Sequence, residues 1–214
     1  MEVFVDGESV EVEPGATALI ATRLAGRTVA TLCFDDRTAA FGACRVCLVA
    51  IEGAKAPVAS CATPCREGMK ISTRDERANR IAANVVELVL SELPSPPAPH
   101  TELAQVAEQL GIGQPRWTGA THPVDHDVSH PYLVLQRELC ISCGRCVRVC
   151  DEVQGAFALT ATGRGFNSTI AAGLNSGFAA STCVSCGACA DTCPTDAITE
   201  SFLFDIADQA GQGE

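Results

Sequence analysis

Cys140, Cys143, Cys146 and Cys150 are separated by two, two and three residues, and the same spacing returns at Cys183, Cys186, Cys189 and Cys193, followed by Pro194. This is the run that binds cubane [4Fe–4S] clusters, written twice. Three thiolates two residues apart curl a tight loop around one face of a cluster, and the fourth begins the next element and reaches the other cluster of the pair. The spacing therefore predicts one cluster on Cys140, Cys143, Cys146 and Cys193, and a second on Cys150, Cys183, Cys186 and Cys189. Gly144 and Gly187 are expected to let the loop backbone come close to sulfide. Zinc ribbons also use Cys-x2-Cys pairs, but they need only two cysteines per knuckle. A third and a fourth at identical offsets in both copies favour iron–sulfur.

A looser set stands in the first half, at Cys33, Cys44, Cys47 and Cys61. One close pair and two distant single cysteines imply four thiolates on a longer wrapping loop. The spacing departs from the plant-type pattern, so general chemistry leaves a tetrathiolate site for iron or zinc. Gly42, just before Cys44, suits a backbone packed against such a site. Cys65 is left over from a total of 13 cysteines and reads as a small buried hydrophobe or an incidental thiol.

Weaker signals stand beside these. His122, His126 and His130 recur every four residues, but Pro123 and Pro131 argue against the helix that would align them, and a metal site there is disfavoured. Arg145 and Arg148, inside the first dense run, could offset thiolate charge, although solvated or interface arginines are as good a reading. His100 reads as a solvated linker residue. Gly163-Arg-Gly-Phe166 lacks the glycine spacing of a dinucleotide fingerprint. No nucleophile–base–acid triad or carboxylate pair stands out, so no catalytic residue is expected.

The elements that must carry these cysteines can be read from pattern. Val3 and Val5 alternate into Asp6-Gly7, and Val10 and Val12 alternate out of it, a hairpin signal. Pro14-Gly15 ends the hairpin, and a short helix is expected over 16–25 with Gly26 as its stop. Residues 75–91 carry Ile81, Val85, Leu88 and Val89 on one helical face. Four prolines between Leu93 and Pro99 make a stiff linker, a second helix is expected from Thr101 to Leu110, and 112–130 reads as irregular.

Composition fits a metal-stapled fold. One Trp, one Tyr and eight Phe in 214 residues build thin cores, which lean on metals or partner surfaces. The start has neither a basic region nor an apolar run of a secretory signal, and no stretch approaches the ~18 apolar residues of a membrane span. An odd cysteine count suits a disulfide framework poorly, so a reducing cytoplasm is expected, with no membrane insertion. A formal charge of −11, deepened by thiolates, excludes nucleic acid and anionic lipid as partners and leaves proteins.

The residues around the first set resemble a family. Thr31-Leu-Cys33-Phe-Asp-Asp-Arg37, Gly42-Ala-Cys44-Arg-Val-Cys47-Leu-Val49 and Ser60-Cys61-Ala-Thr-Pro64 are similar to the N-terminal [2Fe–2S] region of the large complex I iron–sulfur subunit. The diaphorase subunit of NAD-linked [NiFe] hydrogenases and NAD-linked formate dehydrogenase alpha subunits share that region. The second half, Leu139 to Leu159, then Gly163-Arg-Gly-Phe-Asn-Ser168 and Cys183-Val-Ser-Cys-Gly-Ala-Cys189, most resembles formate dehydrogenase alpha subunits. The resemblance implies [2Fe–2S] at Cys33, Cys44, Cys47 and Cys61. It also implies an α+β architecture: a β-grasp [2Fe–2S] ferredoxin domain over 1–72, a helical and Pro-rich linker over 73–130, and a bacterial-type two-[4Fe–4S] ferredoxin domain over 131–214.

Two departures from the family matter. Where a motif of one histidine and three cysteines for a further [4Fe–4S] cluster is usual, this chain holds Glu92 to Thr101 without a cysteine, so that cluster is expected to be absent. Formate dehydrogenase alpha subunits continue into a large molybdopterin domain; with this sequence ending at Glu214, the resemblance implies that the catalytic domain is a separate polypeptide. The implied role is a hetero-oligomeric electron-transfer subunit between a molybdopterin (Mo or W) catalytic subunit, formate dehydrogenase favoured, and a flavin- and NAD-binding iron–sulfur subunit. A hydrogenase diaphorase subunit is the nearest alternative, and a non-catalytic redox-sensing or docking protein is the rival from another class.

Overall fold

The computed structural model describes residues 1–211. They form two compact units. The first comprises Met1–Phe34, Ala40–Leu90 and Ala104–Trp117; the second comprises Asp35–Ala39, Ser91–Leu103 and the chain from Thr118 onward.

The first unit is a mixed five-stranded sheet carrying one short helix. Strands β1 (Glu2–Val5) and β2 (Glu8–Glu11) form the hairpin, Val3 opposite Val10. Asp6 and Gly7 take positive φ at its turn, the type of backbone that Asp-Gly tolerates. Helix α1 (Ala18–Leu24) follows, and then a long loop holding Cys33, Cys44 and Cys47. Strands β3 (Leu48–Ile51), β4 (Val58–Ala59) and β5 (Lys70–Ser72) complete the order β2-β1-β5-β3-β4, with β1 parallel to β5. Alternation in β1 turns Val3 and Val5 inward, where they pack with Ala18, Ala21, Val49 and Ile71. Cys65 lies in the same core, and burial pushes its thiol pKa up.

Helix α2 (Glu76–Ser91) begins at Asp75, whose carboxylate accepts the Ala78 N–H at 2.7 Å. Its buried face differs from the expected one. Ala78, Ala82, Val86 and Leu90 are buried, whereas Leu88 is 52% exposed. Apolar residues cover more than half of this helix, so period alone does not choose the face; two alanines permit the closest approach and decide it. Glu87 is also buried, its carboxylate held by the Arg116 guanidinium and backbone N–H, which ties residues 104–117 to the helix.

Helix α3 (Glu102–Gln109) sits where the second helix was expected, and Gly111 takes a positive φ just beyond it. The segment before Pro131 is not wholly irregular: β6 (His126–Asp127) pairs with β7 (Leu133–Gln136), and β10 (Ile198–Glu200) pairs on the other side of β7. A two-residue strand carries too little periodicity to be seen in sequence. Strands β8 (Leu159–Thr162) and β9 (Thr169–Ala172) form a separate hairpin. Two one-turn helices, α4 (Arg145–Arg148) and α5 (Ala188–Asp191), each follow a cysteine loop, and α6 (Ser201–Gly211) closes the described chain. The second unit's core is Leu133, Leu135, Leu159, Ile170, Phe178 and Ile198, with Cys146 and Cys189 buried among them. No described helix is long and apolar enough to cross a membrane.

Candidate iron–sulfur centres

Two cavities open in the second unit. The first is lined by Cys140, Cys143, Cys146 and Cys193, with Leu135, Ile141, Ile170 and Ile198 supplying apolar walls. The second is lined by Cys150, Cys183, Cys186 and Cys189, walled by Leu133, Leu159, Phe178 and Val184. The structure thus brings together three cysteines from one run with the fourth of the other, in both directions. Local backbone explains how. Gly144 and Gly187 stand at φ +74° and +75° directly before α4 and α5, so the chain turns sharply from loop into helix. At Gly187 a Cβ would meet no protein atom within 4 Å; the left-handed backbone, and not crowding by the rest of the chain, calls for glycine there. Cys150 lies on a single π turn, Val149–Val153, running on from α4; such insertions re-aim a side chain from its helix.

In the first unit Cys33, Cys44, Cys47 and Cys61 come together between α1 and β4. Cys47 and Cys61 pack with Leu19 and Ala59, and the Cys44 N–H donates to Cys33 Sγ at 3.4 Å. Cys61 lies on a 3-10 turn, Ser60–Ala62. Gly42, at φ +66°, has its Cβ position 3.1 Å from the Ala62 Cβ.

The chemistry of these donor sets fits a polycationic group. Contact with Cys33, with burial, pushes the Cys44 thiol up, and contact with Cys47, with burial, does the same to Cys61. In the cavity sets, burial first and neighbouring cysteines second push Cys143 and Cys189 up to about 12 and push Cys146 well above its ordinary value. Four thiolates cannot share such a site without positive charge to offset them. Thiolates lining a cavity suit a cluster with ligands at its corners better than a single zinc ion. Backbone N–H groups also reach sulfur: Ala158 to Cys150 at 3.2 Å and Ser185 to Cys183 at 3.4 Å.

Arg145 is neither solvated nor at the surface. It is 6% exposed, grips the Glu102 carboxylate with both terminal nitrogens at 2.5 and 3.0 Å, and donates from Nε to Thr192 Oγ1 at 2.9 Å. The Thr192 hydroxyl donates in turn to Asp35, which Arg37 also clasps. The Arg37 contacts and the Thr192 bond hold the Asp35 carboxyl well below the usual range against its burial. Arg148 donates to Thr38 Oγ1 and the Ala39 carbonyl, both at 2.6 Å. Arg145→Met should cost about 3 kcal/mol, the lower end for orphaning a buried ionic partner, since Glu102 stays half exposed. Urea unfolding of the metal-loaded protein measures this, and Arg145→Lys should recover little of it because the paired grip is lost.

The histidines do not converge. His122 stacks on Phe166, His126 lies 2.6 Å from Glu138, and His130 is buried beside Ser185. His100, though 74% exposed at its side chain, contacts Asp196 at 2.6 Å. The environment of His130 is not legible in the sequence, because Ser185 and Cys183 lie more than fifty residues away.

Two cysteine cavities and a separate four-cysteine loop define the class, an iron–sulfur protein of mixed α/β structure. Residues 1–76 match the 2Fe-2S iron-sulfur cluster binding domain and residues 139–197 match the 4Fe-4S dicluster domain. The chain superposes on a chain of the NAD+-reducing [NiFe]-hydrogenase in its H2-reduced state with a TM-score of 0.83 and 30% identity, covering 93% of this chain and 86% of that one. It is 28% identical to NADP-reducing hydrogenase subunit HndD of Solidesulfovibrio fructosivorans over 97% of its own length and 37% of that protein. It is 30% identical to the mitochondrial NADH-ubiquinone oxidoreductase 78 kDa subunit of Candida albicans over 93% of its length and 28% of that protein. The chain belongs to the same iron–sulfur family as the NAD+-reducing [NiFe]-hydrogenase chain. It spans between a quarter and two fifths of these two curated relatives.

Proposed function

We propose that this chain is an electron-transfer subunit of an NAD-linked oxidoreductase complex, with no substrate site of its own. The observation that carries this is the pair of cavities, each lined by three cysteines of one run and the fourth of the other. In this reading Cys140, Cys143, Cys146 and Cys193 hold one [4Fe–4S] cluster, and Cys150, Cys183, Cys186 and Cys189 hold a second. Cys33, Cys44, Cys47 and Cys61 hold a [2Fe–2S] cluster, and the mixed sheet with α1 beside it supports a β-grasp ferredoxin domain. When bound, these clusters supply one-electron redox chemistry at potentials set by burial, charge and hydrogen bonds to sulfur. The residues' own part is to enclose the sulfurs in apolar walls and to aim N–H groups at them.

The catalytic partner in this proposal is a molybdopterin subunit that oxidises formate, and the electron acceptor is a flavin-bearing subunit that reduces NAD+. Support for formate is the likeness of Leu139–Leu159 and Gly163–Ser168 to formate dehydrogenase alpha subunits. A hydrogenase partner is the second reading, favoured by the match to the NAD+-reducing [NiFe]-hydrogenase chain. Anaerobic native purification, identification of co-purifying subunits, and assay of formate- and hydrogen-dependent NAD+ reduction separate them. A molybdenum or tungsten subunit with formate activity is the expected result. A nickel–iron subunit with hydrogen activity would move the same role to a hydrogenase. A chain that emerges alone, with reducible clusters and neither activity, overturns the subunit reading in favour of a sensor or free carrier.

A further inference from the structure

His130 is 6% exposed and fully engaged. Its Nδ1 faces two backbone donors, the Tyr132 N–H at 3.0 Å and the Leu133 N–H at 3.1 Å. Both need the Nδ1 lone pair, so the ring proton resides on Nε2. Nε2 in turn lies 3.1 Å from Ser185 Oγ and 3.7 Å from Cys183 Sγ. The ring is held edge-on to Phe178, with centroids 5.5 Å apart, and Phe178 walls the same cavity as Cys183. Asp127 steadies the approach, accepting from Ser129 and from the Phe178 N–H. A buried imidazole with one nitrogen clamped by backbone has a single donor left; its nearest acceptors are Ser185 Oγ, the closer, and Cys183 Sγ, which becomes the stronger acceptor once it is a metal-bound thiolate.

We propose that His130 is a positioning residue that donates Nε2–H to the Cys183 thiolate and thereby raises the reduction potential of the cluster in that cavity alone. Hydrogen bonds to ligand sulfur stabilise the more negative, reduced state. The other cavity provides an internal contrast. In the first run Ser142 stands where Ser185 does; its hydroxyl donates to the Ser168 carbonyl at 2.9 Å and lies beside Cys140, so the side-chain donor there is a hydroxyl and not an imidazole. The two runs are thus near copies in sequence, with a histidine donor at one. This inference rests on the ligand sets of the proposed function.

The test uses the full-length, cluster-loaded protein and reads each cluster's midpoint potential by EPR-monitored redox titration. His130→Asn keeps an acceptor near the Nδ1 position for the two backbone N–H groups and removes the Nε2 donor. The second cavity's potential should fall by about 59 mV, a tenfold shift of a one-electron equilibrium, while the other two signals stay. His130→Gln, whose amide reaches the Nε2 position, should hold the potential near that of the parent. A measurement on the parent protein guards against a variant that loses its cluster: histidine labelled with ¹⁵N should couple weakly to one reduced [4Fe–4S] signal, and the coupling should vanish in His130→Gln. Unchanged potentials with all clusters present, equal shifts in all three, or no nitrogen coupling would each overturn the inference. Absence of iron–sulfur signals in the parent protein would instead overturn the ligand reading beneath it.

Discussion

Cys193→Ser is expected to empty the cavity of Cys140, Cys143 and Cys146, and to leave the cavity of Cys183, Cys186 and Cys189 loaded. The variant should lose about four of about ten iron atoms per chain. The outcome runs against sequence proximity, since Cys193 stands four residues after Cys189 and almost fifty after Cys146. It follows from the cavity linings, where Cys193 faces the first run and Cys150 the second. Cys150→Ser should produce the mirror loss. Iron per chain and the surviving EPR signal measure both. If each variant instead lost the cluster nearest to it in sequence, the crossed ligand sets would be wrong and each run would be self-contained.

Removal of iron by an anaerobic chelator is the second large effect, and it should fall unequally on the two units. In the second unit the thiols are the core: Cys146 and Cys189 are buried among Leu133, Leu135, Leu159, Ile170, Phe178 and Ile198, and Cys140, Cys150 and Cys183 pack against them. Removing both clusters takes away the groups these walls pack around and leaves the thiols facing two voids, and voids in a core cost stability. An ordinary domain has only ~5–15 kcal/mol of total stability, so the second unit should unfold at ambient temperature. In the first unit, Val3, Val5, Ala18, Val49 and Ile71 make a core from which Cys33, Cys44, Cys47 and Cys61 are absent, and the strands should persist. Hydrogen exchange distinguishes the two. Amides of β1 and β5 should keep their protection after chelation while those of β7 and β10 lose it; equal loss in both would show that the first sheet also depends on metal.

Much of this architecture is legible in residue order because its determinants are local. Asp6-Gly7 between alternating valines marks a hairpin, and the cysteine offsets mark loops whose geometry is set by the backbone between them. What escapes is what depends on partners distant in the chain. The alanines at 78 and 82 look inert beside Ile81 and Val85, and only the surface they approach makes theirs the buried face. Arg145 reads as one more exposed cation until Glu102, Thr192 and Asp35 are brought around it. His130 carries no local sign that Ser185 and Cys183 will lie beside its ring. The crossing of the fourth cysteines is readable only because a general rule for paired clusters supplies it; spacing by itself would pair each run with itself.

The crossed linings also bear on how the chain is made. During synthesis Cys140, Cys143, Cys146 and Cys150 leave the ribosome as a complete set of four, while Cys193 follows some forty residues later. At roughly 5–20 residues per second, that is a wait of a few seconds. A nascent chain exposed to iron and sulfide in that interval has four thiols ready, one of which belongs to the other cavity. Faithful maturation in this reading is therefore a matter of timing: loading has to follow the emergence of Cys193, and slow translation past Cys150 would favour a trapped, misliganded product.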